Sequence, residues 1–181
     1  MEMSDQRLPA TTFEDLAVPL FDQLYNFACW LTQDASAAED LVQETYAKAL
    51  RGFSTFQPGT NFRAWMYRIL RNSFLNSRSG LKTAMVFDEE DPDIAPSAAG
   101  STPESFLIEQ ADRQTVQQAL DELRVHFREI LLLCEVEEMS YQEIAETLAI
   151  PAGTVMSRLF RARKALRCLL QPKLAGGHRG L

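Results

Sequence analysis

The chain has few of the residues that build metal sites or disulfides. Its 181 residues include three cysteines and two histidines, and no cysteine pair has the CxxC spacing of a zinc site. Neither a metal ion nor a cofactor is therefore expected. Widely spaced, unpaired thiols are typical of a reducing cytoplasm, where we expect the chain to act. We predict that Cys29, Cys134 and Cys168 are small buried side chains.

Long hydrophobic runs are also lacking. The longest, such as Ile130–Cys134, fall far short of the roughly 20 residues that span a bilayer. The first residues, MEMSDQRLPATTFEDL, carry acids and lack the apolar stretch of a secretory signal. No membrane insertion is therefore expected. With 46% hydrophobic residues, the chain can instead form one packed domain or two small ones.

Charge of one sign is missing from three long segments, although the whole chain has a formal charge of −7. Residues 45–82 hold seven basic residues and no acid, and residues 154–181 also hold seven and no acid. Between them, residues 83–112 hold eight acids and no base. A charge run is usually a solvated face, but two purely basic segments are candidate phosphate-binding surfaces. Because the remaining acidity should repel nucleic acid, binding to DNA is expected to need a partner.

Apolar residues recur at helical spacing through most of the chain, and convincing strand patterns are absent from the sequence. Ser36–Glu39 and Ser140–Glu143 have the pattern of capping boxes, which open helices. Residues 79–102 are rich in Asp, Glu, Pro, Ser, Ala and Gly, which is typical of a linker. The sequence therefore predicts an all-α protein of two small helical domains, residues 13–78 and 103–172, joined by a flexible acidic linker. The predicted helices cover about 13–31, 36–53, 61–77, 103–123, 128–137, 140–148 and 154–170.

The stretch SYQEIAETLAIPAGTVMSRLFRARKAL, residues 140–166, predicts a short helix, a turn and a longer helix. This is the pattern of a helix-turn-helix, whose second helix enters the major groove of DNA. Its predicted core side is the apolar stripe Val155, Leu159, Ala162, Leu166 and Leu169. Its opposite side presents Ser157, Arg158, Arg161 and Lys164, and Thr154 is predicted to cap the helix. Arginine can bridge guanine edges and lysine suits phosphate, so this side predicts DNA binding.

A second basic helix is predicted within FQPGTNFRAWMYRILRNSFLNSR, residues 56–78. Its predicted buried side consists of Phe62, Met66, Ile69, Leu70 and Ser73. A second side combines an aromatic, a cation and two amides, namely Trp65, Arg68, Asn72 and Asn76. Trp can stack on an exposed base, amides can read its edge and Arg can hold the backbone, which suits single-stranded nucleic acid. The alternative is that Trp65 simply belongs to the core.

The two motifs together closely resemble the extracytoplasmic-function (ECF) sigma factors of bacterial RNA polymerase, in the sigma-70 family. The resemblance covers about residues 13–170, and its specific parts are DLVQET, the downstream WMYRILRN and GTVMSRLFRAR. It implies sigma region 2 over 13–78 and sigma region 4 over 103–172. It further implies a protein that binds core RNA polymerase and promoter DNA, directs initiation at promoters, and is controlled by an anti-sigma factor. No catalytic residue and no small-molecule substrate are implied.

The resemblance also implies three sets of site residues. Docking on core polymerase is assigned to Asp40, Leu41, Val42, Gln43 and Glu44. Recognition and melting of the −10 element is assigned to Asn61, Arg63, Trp65, Arg68, Asn72 and Asn76. Reading of the −35 element is assigned to Thr154, Ser157, Arg158, Phe160, Arg161 and Lys164. Met156 departs from the family, many of whose members carry Lys or Arg there, and this leaves open which −35 bases are read.

Two other functions remain open on the residues alone. A stand-alone helix-turn-helix regulator would explain the last helix, but it predicts a sensor domain or a dimer on palindromic sites. The sequence carries no phosphoacceptor cluster or ligand-pocket signal that would support this alternative. An enzyme would have to use the cysteines with His126 or His178, and neither histidine lies in a motif. Both histidines are expected to be solvent-exposed, and catalysis is expected to belong to the polymerase.

Overall fold

A computed structural model describes residues 12–79 and 113–176. The chain divides into two compact units, Met1–Arg78 (unit 1) and Ser79–Leu181 (unit 2). Every regular element in the described ranges is a helix or a helical turn, so the predicted fold class of two small helical domains is confirmed there. Nearly all of the predicted linker, the first part of the helix predicted from residue 103, and His178 lie outside the described residues.

The described part of unit 1 contains four helices. They are α1 (Phe13–Ala17), α2 (Phe21–Thr32), α3 (Ala35–Gly52) and α4 (Phe62–Ser79). The single helix predicted over 13–31 is interrupted at Val18–Leu20, which forms a 3₁₀ turn. Pro19 explains the break, because proline has no amide hydrogen and its ring clashes with the preceding turn of an α-helix.

The start of α3 differs from the prediction. Gln33 has a left-handed backbone with φ 61°, which ends α2 and turns the chain. Asp34 follows in an extended conformation, and its carboxylate accepts a hydrogen bond from Ala37 N at 2.7 Å. The predicted capping box at Ser36 is therefore wrong. Asp34 is the cap because it is the first residue after the turn that has both an extended backbone and a side-chain acceptor.

Three helices of unit 1 each bury one apolar side. The buried residues are Leu24, Phe27 and Leu31 on α2, Leu41, Val42 and Ala49 on α3, and Met66, Tyr67 and Leu70 on α4. The rings of Phe27 and Tyr67 pack with centroids 5.1 Å apart. Thr45 is also buried, and its hydroxyl donates to the Leu41 carbonyl at 2.7 Å. This core holds the outer faces of α3 and α4 in place.

The described part of unit 2 contains α5 (Arg113–Glu122), α6 (Val125–Leu131), α7 (Tyr141–Leu148) and α8 (Ala152–Gly176). The helix predicted over 128–137 begins three residues earlier than expected and widens into a π-type turn at Leu132–Val136. The chain then reaches α7 through Glu138, which has a left-handed backbone with φ 51°. The core is built mainly from Ile130, Leu131, Leu132, Leu133, Ile144, Leu148, Val155 and Leu159.

A buried arginine joins α5 to α6. Arg128 is only 6% exposed. Its Nε donates to the Leu120 carbonyl at 2.7 Å, and its Nη2 donates to the Asp121 carbonyl at 2.6 Å. The last carbonyls of a helix have no donors within that helix, so Arg128 supplies the donors that close the end of α5.

Within residues 12–79 and 113–176, no helix is long and apolar enough to cross a bilayer, and no group of His, Cys, Asp and Glu side chains could hold a metal ion. All three cysteines are free. Cys29 and Cys134 are only half-buried and Cys168 is exposed, so the prediction of three buried side chains is wrong, most clearly for Cys168. The reason is helical geometry, since Cys168 lies two residues from both Leu166 and Leu170, which face the core.

Candidate nucleic-acid interface

The helix-turn-helix of unit 2 is formed by α7 and α8. Ser140 and Glu143 make the predicted capping box, with Ser140 N donating to Glu143 Oε2 at 2.9 Å and Glu143 N donating to Ser140 Oγ at 3.3 Å. Helix α7 ends at Ala149, whose backbone is left-handed with φ 55°. The Pro151 carbonyl then accepts a hydrogen bond from Thr154 N at 3.0 Å. The predicted capping role of Thr154 is wrong, because α8 begins two residues earlier and Thr154 lies in its first turn.

One side of α8 is buried in unit 2. Four predicted members of the apolar stripe are buried, namely Val155, Leu159, Ala162 and Leu166. The fifth prediction, Leu169, is wrong, because Leu169 is only half-buried and Leu170 is fully buried. Helix α5 packs against α8, and Lys173 Nζ lies 2.8 Å from Glu122 Oε1 at the end of α5. Spacing within α8 alone cannot decide between the two, because Leu169 and Leu170 lie three and four residues after Leu166.

The side of α8 away from the core carries the residues predicted to read the −35 element. Phe160 and Lys164 are exposed, and the half-buried members are Thr154, Ser157, Arg158 and Arg161. Ser157 Oγ donates to the Thr154 carbonyl at 3.1 Å, and Arg161 Nε donates to the Ser157 carbonyl at 3.4 Å. The structure thus brings all six onto about three turns of one helix. An α-helix of this length fits the major groove of B-DNA.

One arginine of α8 is directed away from this surface. Arg163 Nη2 and Nε lie 2.6 and 3.1 Å from Glu135 Oε1 in the π-type turn. Burial disfavours the charged guanidinium, but the hydrogen bond and charge of Glu135 outweigh it and raise the pKa of Arg163. Arg163 lies four residues after Leu159 and three before Leu166, so the helical period indicates a position beside the core. The partner, 28 residues away in the chain, has no such signal in the sequence.

The candidate −10 surface begins with the first turn of α4. Asn61 caps this helix, since its Oδ1 accepts from Ala64 N at 3.0 Å and its carbonyl accepts from Trp65 N at 3.1 Å. The preceding turn contains Gly59 with φ 88°, a left-handed conformation that favours glycine. The side chain of Asn61 therefore has a structural role at the base of this surface.

Trp65 combines the two roles weighed from the sequence. Its indole is half-buried, with ring centroids 5.2 Å from Phe56 and 5.5 Å from Phe62. The core thus holds one part of the ring and leaves another part accessible. On the predicted buried side of α4, Ile69 is only half-buried, and the buried members are Phe62, Met66, Leu70 and Ser73.

The other predicted −10 residues follow along α4. Arg68, Asn72 and Asn76 are exposed, and they share a side of the helix with Trp65 at intervals of three and four residues. Arg63 is half-buried, and its guanidinium carbon lies 5.5 Å from the centre of the Tyr67 ring. The structure therefore presents one aromatic ring, one exposed cation and two exposed amides on a single helix face.

The residues predicted to dock on polymerase divide into two groups on α3. Asp40, Gln43 and Glu44 are exposed. Leu41 and Val42 are 6% and 2% exposed and belong to the core. The exposed group forms a polar, acidic face, and the buried pair anchors it.

Comparison with known families matches both units. The family model described as Sigma-70 region 2 matches residues 19–82, and the model described as Sigma-70, region 4 matches residues 113–166. Each match includes one of the two candidate surfaces, the first on α3 and α4 and the second on α7 and α8.

Individual relatives extend the match. The ECF RNA polymerase sigma factor SigE of Mycolicibacterium smegmatis is 37% identical over 157 residues, which span 86% of this chain and 60% of that protein. The ECF RNA polymerase sigma factor EcfG of Rhodopseudomonas palustris is 35% identical over 154 residues, which span 85% and 81%. A co-crystal structure of the sigma factor RpoE with the anti-sigma factor NepR from Bartonella quintana gives a TM-score of 0.64 at 32% identity, over 87% of this chain and 98% of that one.

The described residues are helical, and they include a helix-turn-helix whose outward side is basic in a chain that is acidic as a whole. These features define a class of DNA-binding proteins. The matches in both units narrow this class. The chain belongs to the ECF sigma factors of the sigma-70 family, as its sequence motifs indicated.

Proposed function

We propose that this sigma factor binds core RNA polymerase, directs it to specific promoters and divides promoter recognition between its units. In this proposal, unit 2 reads the −35 element with α8, and unit 1 docks on the polymerase with α3 and opens the −10 element with α4. The proposed domains are residues 13–78 and 103–172, which overlap the two family matches. The observation that carries the proposal is the solvent-facing basic side of α8, in a chain that is acidic as a whole.

The −35 reading is proposed for the side of α8 opposite its core stripe. Arg161 and Lys164 lie on this side, whereas Arg163 is paired with Glu135 at its edge. Arginine can make two hydrogen bonds to guanine, and lysine supplies a point charge to phosphate. The pairing of Arg163 supports this assignment, because it separates an arginine held by Glu135 from the basic residues that are proposed to contact DNA.

The −10 opening is proposed for Trp65 and the polar residues that follow it on α4. Extruding a base from a duplex costs a few kcal/mol, and a protein recovers this cost by stacking and edge contacts in a pocket. The anchoring of Trp65 on Phe56 and Phe62 supports the role, because a held ring loses little entropy when a base stacks on it.

Docking on polymerase is proposed for Asp40, Gln43 and Glu44 on α3. Their exposure supports a contact with a basic partner surface. Leu41 and Val42 support the role from within the core. The polymerase supplies the chemistry of RNA synthesis, so this chain is proposed to catalyse no reaction and to act in the cytoplasm with its partner.

Control by an anti-sigma factor is part of the proposal. The RpoE structure that resembles this chain is a complex with an anti-sigma factor. Purification of the tagged chain from its resting host tests this point. A small co-purifying protein that blocks polymerase binding is the expected result, and recovery with core polymerase alone would count against a dedicated inhibitor.

The central test is run-off transcription with core polymerase and mapping of the start sites. Aligned upstream sequences should contain two elements. On such promoters, Arg161→Ala should lower binding by roughly 1–3 kcal/mol if Arg161 reads a base. The matched control is Arg163→Ala on the same helix, which removes an exposed ion pair worth about 0.2–1 kcal/mol and should leave promoter preference unchanged.

Salt dependence separates a phosphate contact from the ion pair of Arg163. Each lost phosphate contact should reduce the log–log slope of affinity against salt by about 0.9. Lys164→Ala, which removes a proposed phosphate contact, should show such a change, whereas Arg163→Ala should keep the wild-type slope. Strong protection of the promoter by the chain alone, without core polymerase, would overturn the proposal and favour a stand-alone regulator.

Trp65→Ala tests the melting role. It should spare binding to the −35 element but slow the opening of duplex templates, and a pre-melted −10 bubble should restore initiation. Trp30→Ala, a change to the other half-buried tryptophan of unit 1, is the control for general destabilisation. An equal loss with Trp65→Ala on duplex and pre-melted templates would contradict a role in melting.

A further inference from the structure

Two large apolar side chains are exposed on the outward side of α8. Met156 is 50% exposed and Phe160 is 38% exposed. Residues four apart on a helix are neighbours, with Cβ atoms about 5–6 Å apart. Isolated exposed apolar residues are ordinary, but these two form one small apolar patch. The patch lies beside Ser157, Arg161 and Lys164, which are proposed to contact the −35 element.

We propose that Met156 and Phe160 together read the C5-methyl group of thymine in the −35 element. This inference rests on the proposed function, since it takes α8 to lie in the major groove. The thymine methyl projects into that groove, and apolar side chains recognise it by contact. A lysine or arginine at position 156 would instead reach for phosphate or guanine. Met156 therefore gives this helix a preference for thymine.

Charge identifies the occupant of this surface as nucleic acid. Residues 154–181 contain seven basic residues and no acid. Two of the basic residues, Arg161 and Lys164, lie next to the apolar patch. A second copy of the chain would present an equally basic face and be repelled. Two side chains also fall far below the roughly 800 Å² per partner that a stable protein interface buries.

Replacement of single −35 thymines by deoxyuridine tests the inference, because it removes only the methyl group and keeps the base pair. The probe is a duplex promoter, identified by start-site mapping and bound by holoenzyme made from core polymerase and the full chain. At one or two −35 positions, the replacement of thymine by deoxyuridine should weaken binding of the wild-type holoenzyme about fourfold, which is the effect of one buried methyl group.

The variants locate the reader of that methyl group. The double variant Met156→Ala/Phe160→Ala should bind the thymine duplex more weakly and should no longer distinguish thymine from uridine at those positions. Both side chains are exposed, so the fold should be retained, and far-UV circular dichroism checks this. The matched control is Val136→Ala, an exposed apolar residue outside α8 in the same unit, which should keep the full uridine response.

Three results would overturn the inference. The first is a wild-type response that is flat at every uridine position. The second is a double variant that retains the uridine response, and the third is an equal loss of binding on all templates, which would indicate a protein contact with the polymerase instead. In each case, an effect of Arg161→Ala on the same promoter would leave the proposed −35 function intact. Loss of that effect as well would mean that the proposed function itself has failed.

Discussion

Replacement of Arg128 by methionine should destabilise unit 2 strongly. Methionine keeps much of the apolar stem but removes the donors that reach the Leu120 and Asp121 carbonyls at 2.7 and 2.6 Å. Hydrogen bonds from a charged donor contribute roughly 1.5–3 kcal/mol each, so two short ones contribute about 3–6 kcal/mol. A small domain is stable by about 5–15 kcal/mol in total, so Arg128→Met should remove a large share of the free energy of unfolding.

Urea titration of the full chain measures this effect. Both tryptophans, Trp30 and Trp65, lie in unit 1, so their fluorescence reports on that unit, while far-UV circular dichroism reports on helices in both units. In Arg128→Met, part of the helical signal should be lost at a urea concentration about 2 M lower, taking mid-range values of about 4.5 kcal/mol for the loss and about 2 kcal/mol per molar urea for the slope. The matched control is Arg124→Met, an exposed arginine just before α6, which should stay within about 0.5 kcal/mol of wild type. A similarly small change in Arg128→Met would refute the capping role.

Two further perturbations test unit 1. Burial, together with the charge of Asp22, raises the pKa of Tyr46 to about 12, and the Tyr46 hydroxyl donates to the Ala17 carbonyl at 2.7 Å. The hydrogen bond contributes about 1 kcal/mol, so Tyr46→Phe should be less stable than wild type by that amount at pH 8. Because the pKa of Tyr46 is raised in the folded protein, this contribution is present below the ordinary tyrosine pKa of about 10 and is lost as the pH rises towards 12. The difference in stability should therefore narrow between pH 10 and 12, and a constant difference in unfolding titrations would contradict the raised pKa. Asp34→Ala should lower the unfolding free energy by about 1 kcal/mol, because it removes the cap of α3. Ser36 lies inside the first turn of α3, so Ser36→Ala should be close to neutral in the same titration. A larger loss of unfolding free energy in Ser36→Ala than in Asp34→Ala would show that Ser36 is the cap.

Local signals predicted much of the fold. Apolar residues at intervals of three and four predicted the helices and most of the buried sides of α4 and α8, because these depend on geometry within one helix. The capping box at Ser140 was predicted correctly for the same reason. The break at Pro19 was missed, because the apolar spacing on both sides of it remained helical. Its signal was nevertheless present, since proline inside a helical pattern normally ends or kinks the helix.

Contacts between distant parts of the chain were not predictable in this way. Arg163 was counted among the basic residues of α8, but its partner Glu135 lies on the π-type turn. Leu169 and Leu170 both lie at helical spacing from Leu166, and of the two only Leu170 is buried. Trp65 could be read as core or as surface, and the structure makes it half-buried because Phe56 and Phe62 contact only part of its ring. None of these outcomes could be identified from spacing alone.

The left-handed backbone of Ala149 makes unit 2 less stable than it would be with glycine at the same position. A residue with a Cβ costs roughly 1–2 kcal/mol in this conformation, and glycine largely avoids this cost. A single change at the turn, Ala149→Gly, is therefore available to stabilise the helix-turn-helix without altering any side chain on the outward side of α8. Such a margin matters for evolution, because substitutions that change base preference often destabilise the fold. Glycine at this turn would offset the stability that such substitutions remove. The outward side of α8 can therefore change its base preference while the helix-turn-helix stays folded.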